Sequence, residues 1–373
     1  MRLLVILWCA FWVVSCTPSR RQSSTDVPSS AESIEYAQGF TIEHYDNYTK
    51  VEVRDPWDST RLLQRYLLID KNRPQPEELP KGTIVKTPVD NVIVYTSVHA
   101  AIINQLNSID KVIGVCEPRY MDTQAIKDGV ANGTIADLGE ATAPNIEKMI
   151  DIGAELVIAS PFQNSSYGPV EKIGIPIIEA ADYMESLPLG RTEWIRFYGL
   201  LFGKEELADS IFNATEKAYL ELKELVTDVK SHPTVLSEKR YGSSWYVPAG
   251  QGYMAELFKD AGADYIFKSL PGTGSSPLAF ETVLERAINA DIWIVKYNQD
   301  SEMSYADLRA EYTPYENFEA FKKRHIYTCN TGAVPYYEEF PLHPEYLLKD
   351  LIWVFHPELV EGYSPCYFRK MKE

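Results

Sequence analysis

From Val89 onward, short apolar runs alternate with stretches of helical spacing, and this alternation restricts the fold more than any other feature. Asn91-Val92-Ile93-Val94-Tyr95, Val112-Ile113-Gly114-Val115, Leu156-Val157-Ile158-Ala159 and Gly174-Ile175-Pro176-Ile177-Ile178 are apolar on nearly every residue, not on every second one. Strands of that kind need both faces buried, the condition of a parallel sheet covered by helices on each side. A helix near residues 100–106 and another opening at Pro144-Asn145 supply the cover. A second set follows: a strand near 234–236, helices at 253–261 and 280–290, the strand Ile292-Trp293-Ile294-Val295, helical stretches within 305–324, and a last helix at 344–355 before His356-Pro357.

Two helices separate the sets. Residues 192–202 are apolar and aromatic and stop at Gly203, a residue type that readily takes the left-handed turn ending a helix. Residues 204–229 place Leu207, Ala208, Ile211, Phe212, Tyr219 and Leu222 at three- and four-residue spacing, with Glu205 and Glu206 at the positive end of the helix dipole. Such a helix spans about 35–40 Å at roughly 1.5 Å per residue, enough to cross from one body to another. The fold class expected is α/β: two Rossmann-like lobes joined by one long α-helix. A small N-terminal β element precedes them, because Phe40-Thr41-Ile42-Glu43, Val51-Glu52-Val53-Arg54 and Arg65-Tyr66-Leu67-Leu68-Ile69 are rich in strand formers and separated by turn residues. A Pro-rich connector covers 73–80.

The chain opens with Met1-Arg2 and an apolar run that ends in Val13-Val14-Ser15-Cys16, a short export signal that resembles a bacterial lipobox. Cleavage would leave Cys16 as the first residue and the site of lipidation, with the protein held on the cell envelope at the periplasmic or outer face of a membrane. The divisions expected are therefore 1–16 signal, 17–35 flexible tether, 36–80 β element, 81–190 N-terminal lobe, 191–231 helical linker and 232–373 C-terminal lobe. Of five cysteines, Cys9 leaves with the signal, and Cys116, Cys329 and Cys366 form neither a disulfide framework nor a zinc cluster. A Cys329–Cys366 bridge is left open. Four N-x-[ST] sequons, at Asn47, Asn132, Asn164 and Asn213, read as chance occurrences behind a lipobox.

With 36 Lys plus Arg against 53 Asp plus Glu, the net charge is −17, which makes nucleic acid a poor partner because its binders need a basic surface to displace counterions; none is expected. No nucleophile elbow, zinc-protease helix or phosphate loop is present, so no catalytic residue is nominated and no enzyme is expected. The six histidines are dispersed, so no metal ligands and no intrinsic cofactor are nominated either. What the loops do carry is aromatic side chains. Ligands of parallel sheets sit beyond the carboxyl ends of the strands. The residues that follow each strand there are Ser97 and His99, Arg119 and Tyr120, and Ser160, Phe162 and Gln163 in the first lobe. In the second lobe they are Trp245 and Tyr246, Lys296, Tyr297 and Asn298, and Tyr336 and Tyr337. Flat rings suit a large, partly apolar ligand, and Arg119, Arg191 and Lys296 would suit an anionic one.

Four stretches carry a family resemblance. They are Val92-Ile93-Val94-Tyr95 with Asp110-Lys111-Val112-Ile113-Gly114-Val115; Pro144-Asn145-Ile146-Glu147 with Glu155-Leu156-Val157-Ile158-Ala159; Gly262 and Asp264-Tyr265-Ile266-Phe267 with Phe280-Glu281; and His343-Pro344-Glu345 with Leu348-Lys349-Asp350-Leu351. In that order, over about residues 89–359, the chain resembles the class III substrate-binding proteins of ABC importers, which carry iron–siderophore complexes, haem or cobalamin. The resemblance implies a lipid-anchored monomer that delivers such a ligand to a permease dimer driven by ATPase subunits. It also implies that Glu147 and Glu281, one per lobe, dock on the permease. Glu285 is a weaker rival because its helix runs about two residues longer than the usual spacing. The β element before Val89 is longer than the family's short leading strands, and its role is open. Which of the three cargoes is carried stays open too, as does a surface interaction lipoprotein without cargo.

Overall fold

The computed structural model describes residues 28–164 and 166–373. The export signal and Cys16 lie outside the described residues. Each lobe is built on a parallel sheet. In the first, Val92–Val94 lies at the centre between Leu156–Ala159 and Val112–Val115, with Ile177–Glu179 and Ala136–Asp137 at the edges. The three central strands are almost wholly buried, as their unbroken apolar sequence requires. In the second, Ile292–Tyr297 lies between Thr234–Ser237 and Ile326–Asn330, with Asp264–Tyr265 outside the former and an antiparallel edge, Arg369–Lys370, outside the latter.

The joining helix is Glu205–Leu225, 21 residues long, preceded by Ile195–Phe202. Gly203 ends the earlier helix at φ +62°, a conformation that costs a side-chain-bearing residue about 1 kcal/mol or more. The long helix packs on the last helix, Pro344–Phe355, so the crossing is braced along its second half.

The N-terminal β element reaches further than its sequence pattern indicates. Five strands pair in order: Ser30–Ala31, Phe40–His44, Thr49–Arg54, Leu62–Asp70 and Thr83–Thr87. The last runs parallel to its neighbour, so residues assigned to the first lobe belong to this sheet. Ser30 and Ala31 pair with His44 and Glu43, so the end of the stretch expected as a flexible tether belongs to the sheet. The sheet is not a satellite. Phe40, Ile42, Val51, Val53, Tyr66 and Val85 share one core with the first lobe's strands and the aromatic helix. Phe40 packs on Trp194 at 4.8 Å between ring centres. Two buried carboxylates from the first lobe fasten its leading segment. Glu193 accepts from the backbone N–H of Glu35, Tyr36 and Ala37 at 2.8–2.9 Å, and Glu185 accepts from Gln38, Gly39 and the Trp194 indole.

The C-terminal tail is fastened the same way. Asp350, fully buried, accepts from the backbone of Cys366, Tyr367 and Phe368 and from the Tyr363 hydroxyl. Cys329 is buried and Cys366 exposed, and both thiols are free. The lobes meet through the short helix Tyr336–Glu339, whose Glu338 accepts from the Asp122 backbone and the Thr123 hydroxyl of the first lobe.

Candidate ligand-binding cleft

A cavity of about 610 Å³ opens in the second lobe beyond the carboxyl ends of Thr234–Ser237 and Ile292–Tyr297. The first strand delivers Glu238, Lys239 and Arg240, and the second delivers Lys296 and Tyr297. Glu238 takes φ +66°, a left-handed conformation that costs a residue with a side chain on the order of 1 kcal/mol. Its carboxylate pairs with the Lys296 ammonium. Burial pulls the Lys296 pKa down, but the charge and hydrogen bond of Glu238 more than offset this and hold the lysine charged. Lys239 pairs with Glu311. The Arg240 guanidinium stacks on Tyr312 at 3.9 Å and makes no ion pair among the described residues.

A small antiparallel sheet of Arg240–Tyr241, Ser244–Pro248 and Ser275–Leu278 forms one wall. It corrects one expectation. Residues 244–246 are not a loop after the first strand; they are a strand themselves, and a strand sends successive side chains to opposite faces. Tyr246 is 44% exposed and lines the cavity, while Trp245 is 0% exposed, with its indole N–H donated to the Ser237 carbonyl. Trp245 therefore supports the lobe and does not line the cavity. Tyr336 is a second correction: it is buried, packed between Tyr337, Phe340 and Tyr367, and only its neighbour Tyr337 faces the cavity. Tyr297 lines the cavity but is mostly covered, its hydroxyl accepting from the Met303 backbone.

The first-lobe candidates stand apart from this cavity; none of Ser97, His99, Arg119, Tyr120 or Phe162 lines it. Ser97 opens the helix Ser97–Gln105. His99 is corrected to a core residue: it is fully buried, 3.4 Å from the Ser160 hydroxyl and 3.9 Å from Asp182, with burial pulling its pKa down. Arg119 stacks on Tyr120 and forms a two-pronged pair with Glu140 at 2.7 and 2.9 Å, so its charge is already answered. Tyr120 and Phe162 remain exposed on the loops that follow Val112–Val115 and Leu156–Ala159. Arg191 is a joint between lobes, bonded to Asp182 and lying over the Phe340 ring. Glu147 and Glu281 are both exposed in the first turns of their helices, Ile146–Asp151 and Phe280–Ala287.

Residues that the strand-end rule should have found but the sequence reading passed over are Glu238, Arg240 and Tyr241. They follow the strand Thr234–Ser237 within a few residues, and the expectation for this strand end fell on residues 244–246 instead. Tyr253, Met254 and Thr273 reach the cavity through chain folding that no local pattern marks.

The cavity rim depends on two glycines. A Cβ at Gly250 would lie 2.0 Å from the Lys268 carbonyl oxygen, and one at Gly252 would lie 2.2 Å from that of Thr273. Both contacts are with backbone, which cannot rotate away. Gly252→Ala should push the 268–274 segment outward, costing about 1–3 kcal/mol in urea denaturation and weakening ligand binding in the same variant. Unchanged stability would mean that the rim is soft.

Comparison with known proteins places this architecture. The sequence pattern of the periplasmic binding proteins matches residues 92–332. An uncharacterized lipoprotein of Methanocaldococcus jannaschii is 29% identical over 93% of this chain and 88% of its own length. A possible iron-binding, periplasmic solute-binding protein from Staphylococcus epidermidis superposes with a TM-score of 0.57 at 17% identity, covering 72% of this chain and 99% of the other. A periplasmic haem-binding protein from Pseudomonas aeruginosa superposes with a TM-score of 0.58 at 13% identity, covering 76% of this chain and 98% of the other. At these identities the two structures speak for the fold.

Proposed function

This chain belongs to the periplasmic binding protein family, and from that premise we propose that it is the lipid-anchored substrate-binding component of an ABC importer, capturing a large anionic metal complex such as an iron–siderophore complex. The family is one of solute-binding proteins, not enzymes. The observation that carries the cargo reading is the cavity beyond the strand ends, where Tyr241, Tyr246 and Tyr337 offer exposed ring faces around the unpaired Arg240 guanidinium. Rings suit a flat or multi-ring shell, and a guanidinium stacked on Tyr312 but without a carboxylate partner suits carboxylate or catecholate oxygens. Haem, with two propionates, fits the same chemistry. Neutral cobalamin uses the rings and leaves the arginine idle.

The test is a fluorescence titration of the purified mature chain with four probes: the ferric complex of three 2,3-dihydroxybenzoates, ferric citrate, haem and cyanocobalamin. Binding of one or more anionic complexes, weakened about tenfold or more by Arg240→Ala, is the expected result. Preference for cyanocobalamin, untouched by that substitution, would overturn the anionic reading. Failure of all four would overturn the cargo reading.

Glu147 and Glu281 support delivery. Each is an exposed carboxylate at a helix start, one per lobe. Paired with basic residues on two permease subunits they would set the register of the complex and speed encounter. Replacing both with alanine should leave ligand affinity within about twofold of the parent and lower uptake by about tenfold in vesicles. Normal uptake would remove them from docking. Cys16→Ala should yield a precursor that no longer partitions into detergent. Equal partitioning would argue against Cys16 as the anchor.

A further inference from the structure

A second cavity, about 220 Å³, lies where the N-terminal sheet meets both lobes. The sheet contributes Arg54, Pro56 and Ser59, the first lobe Met184 and Ser186, and the second lobe Thr273. Thr273 also lines the main cavity, so the two spaces share that residue as a common wall. The wall is held by the main chain. The Gln251 N–H donates to the Gly272 carbonyl at 3.1 Å, the Ala249 N–H donates to the Gly274 carbonyl at 2.8 Å, and Gly252 packs against the Thr273 carbonyl.

Arg54 is the notable group. Arg54 ends the strand Thr49–Arg54, where the pairing with Leu62–Asp70 shifts register and leaves Leu63 of the partner strand unpaired. The Arg54 backbone is anchored by its N–H to the Gly39 carbonyl at 2.8 Å. Its guanidinium makes no ion pair or hydrogen bond among the described residues, although the chain is strongly acidic and most of its neighbours in the sheet are paired. Asp55, the adjacent carboxylate, is engaged instead in a local turn, accepting from the backbone of Trp57 and Asp58. Arg54 is exposed, and the two carboxylates that share its cavity, Asp55 and Glu185, are engaged by backbone N–H groups, so a guanidinium without an ion-pair partner here is suited to an anionic group on a ligand that extends past Thr273.

We propose that the N-terminal sheet supplies a distal subsite of the ligand cleft, in which Arg54 receives a carboxylate or similar anionic group at the far end of an extended cargo. The proposal rests on the cargo reading above, and it gives the sheet a function: it selects long anionic ligands over compact ones.

The experiment compares haem, extended and bearing propionates, with the compact ferric tris(2,3-dihydroxybenzoate) complex. Both are titrated into the full mature chain, Arg54→Ala, Ser59→Trp and Arg240→Ala, each checked for a parental thermal melt. Expected are losses of about five- to tenfold in haem affinity for Arg54→Ala and Ser59→Trp, with the compact complex changed less than twofold, while Arg240→Ala weakens both. Parental haem affinity in Arg54→Ala and Ser59→Trp, with Arg240→Ala impaired, overturns the subsite and leaves the main cleft standing. Binding of the compact complex alone, with no binding of haem by the parent, also overturns the subsite. Binding of neither probe by the parent overturns the cargo reading for anionic complexes and the subsite with it.

Discussion

Glu193→Ala is expected to lower the stability of the N-terminal sheet's attachment by about 3–5 kcal/mol, one of the two largest effects of any single substitution considered for this protein. The carboxylate is fully buried, and its two oxygens accept three consecutive backbone N–H groups, those of Glu35, Tyr36 and Ala37. Those three donors lie in an irregular segment, so no strand partner can replace the lost acceptor. An unsatisfied buried donor costs about 1–3 kcal/mol, and the segment can escape part of that cost only by peeling into water. Peeling in turn uncovers Tyr36, which packs against Phe212 of the long helix at 6.1 Å between ring centres. The effect should be local before it is global. Amide exchange at residues 35–37 should lose protection in the variant, while the exchange of Val235 and Ile294, in the second lobe's sheet, stays near parental rates. Glu193→Gln keeps one acceptor and should recover roughly half of the loss. Parental protection at 35–37 in Glu193→Ala would show that water satisfies those donors and that the carboxylate is dispensable.

The same residue marks where sequence reading stops. The parallel strands were legible because burial on both faces demands unbroken apolar runs, and Val92–Val94, Leu156–Ala159 and Ile292–Tyr297 carry them. The long helix was legible from its spacing and from Gly203, and the last helix, Pro344–Phe355, from its flanking prolines. The strand Ile326–Asn330 was not, since Ile326-Tyr327-Thr328-Cys329-Asn330 mixes polar and apolar residues although most of it is buried. Nor was the role of Glu193, because a carboxylate in an aromatic helix looks like a solvated face until the segment that it holds, some 157 residues away, is folded against it. The site was half legible. The strand-end rule finds Lys296 and Tyr297, which line the main cavity, whereas Tyr246 lines it from within a strand of its own. It cannot distinguish the first-lobe residues that reach the surface from His99, which turns inward on the first turn of its helix.

Trp245→Ala should cost about 3–5 kcal/mol while its neighbour Tyr246→Ala leaves the fold intact, although the two are adjacent and both aromatic. The strand Ser244–Pro248 alternates, so Trp245 and Val247 enter the core and Tyr246 faces the cavity. Around Trp245 stand Trp293 at 5.6 Å, Tyr315 at 5.7 Å and Phe318 at 5.7 Å between ring centres, with Phe280 at 6.4 Å. Truncation to alanine removes a large ring from that cluster and leaves the Ser237 carbonyl, which accepted the indole N–H, without this donor. The surrounding rings are rigid and held on separate elements, so the space cannot close cheaply. Against a typical total of about 5–15 kcal/mol, such a loss puts the second lobe near its unfolding threshold. Trp245→Phe keeps most of the volume and should cost less, about 1–2 kcal/mol, chiefly through the lost hydrogen bond. Tyr246→Ala should reverse the pattern: a parental urea midpoint, and ligand affinity reduced by about three- to tenfold through loss of one stacking face. The pair is decided by running both assays on both variants. Were Trp245→Ala to melt like the parent and bind ligand poorly, the alternation of this strand would be inverted in solution, and the wall of the cavity would have to be redrawn around the indole.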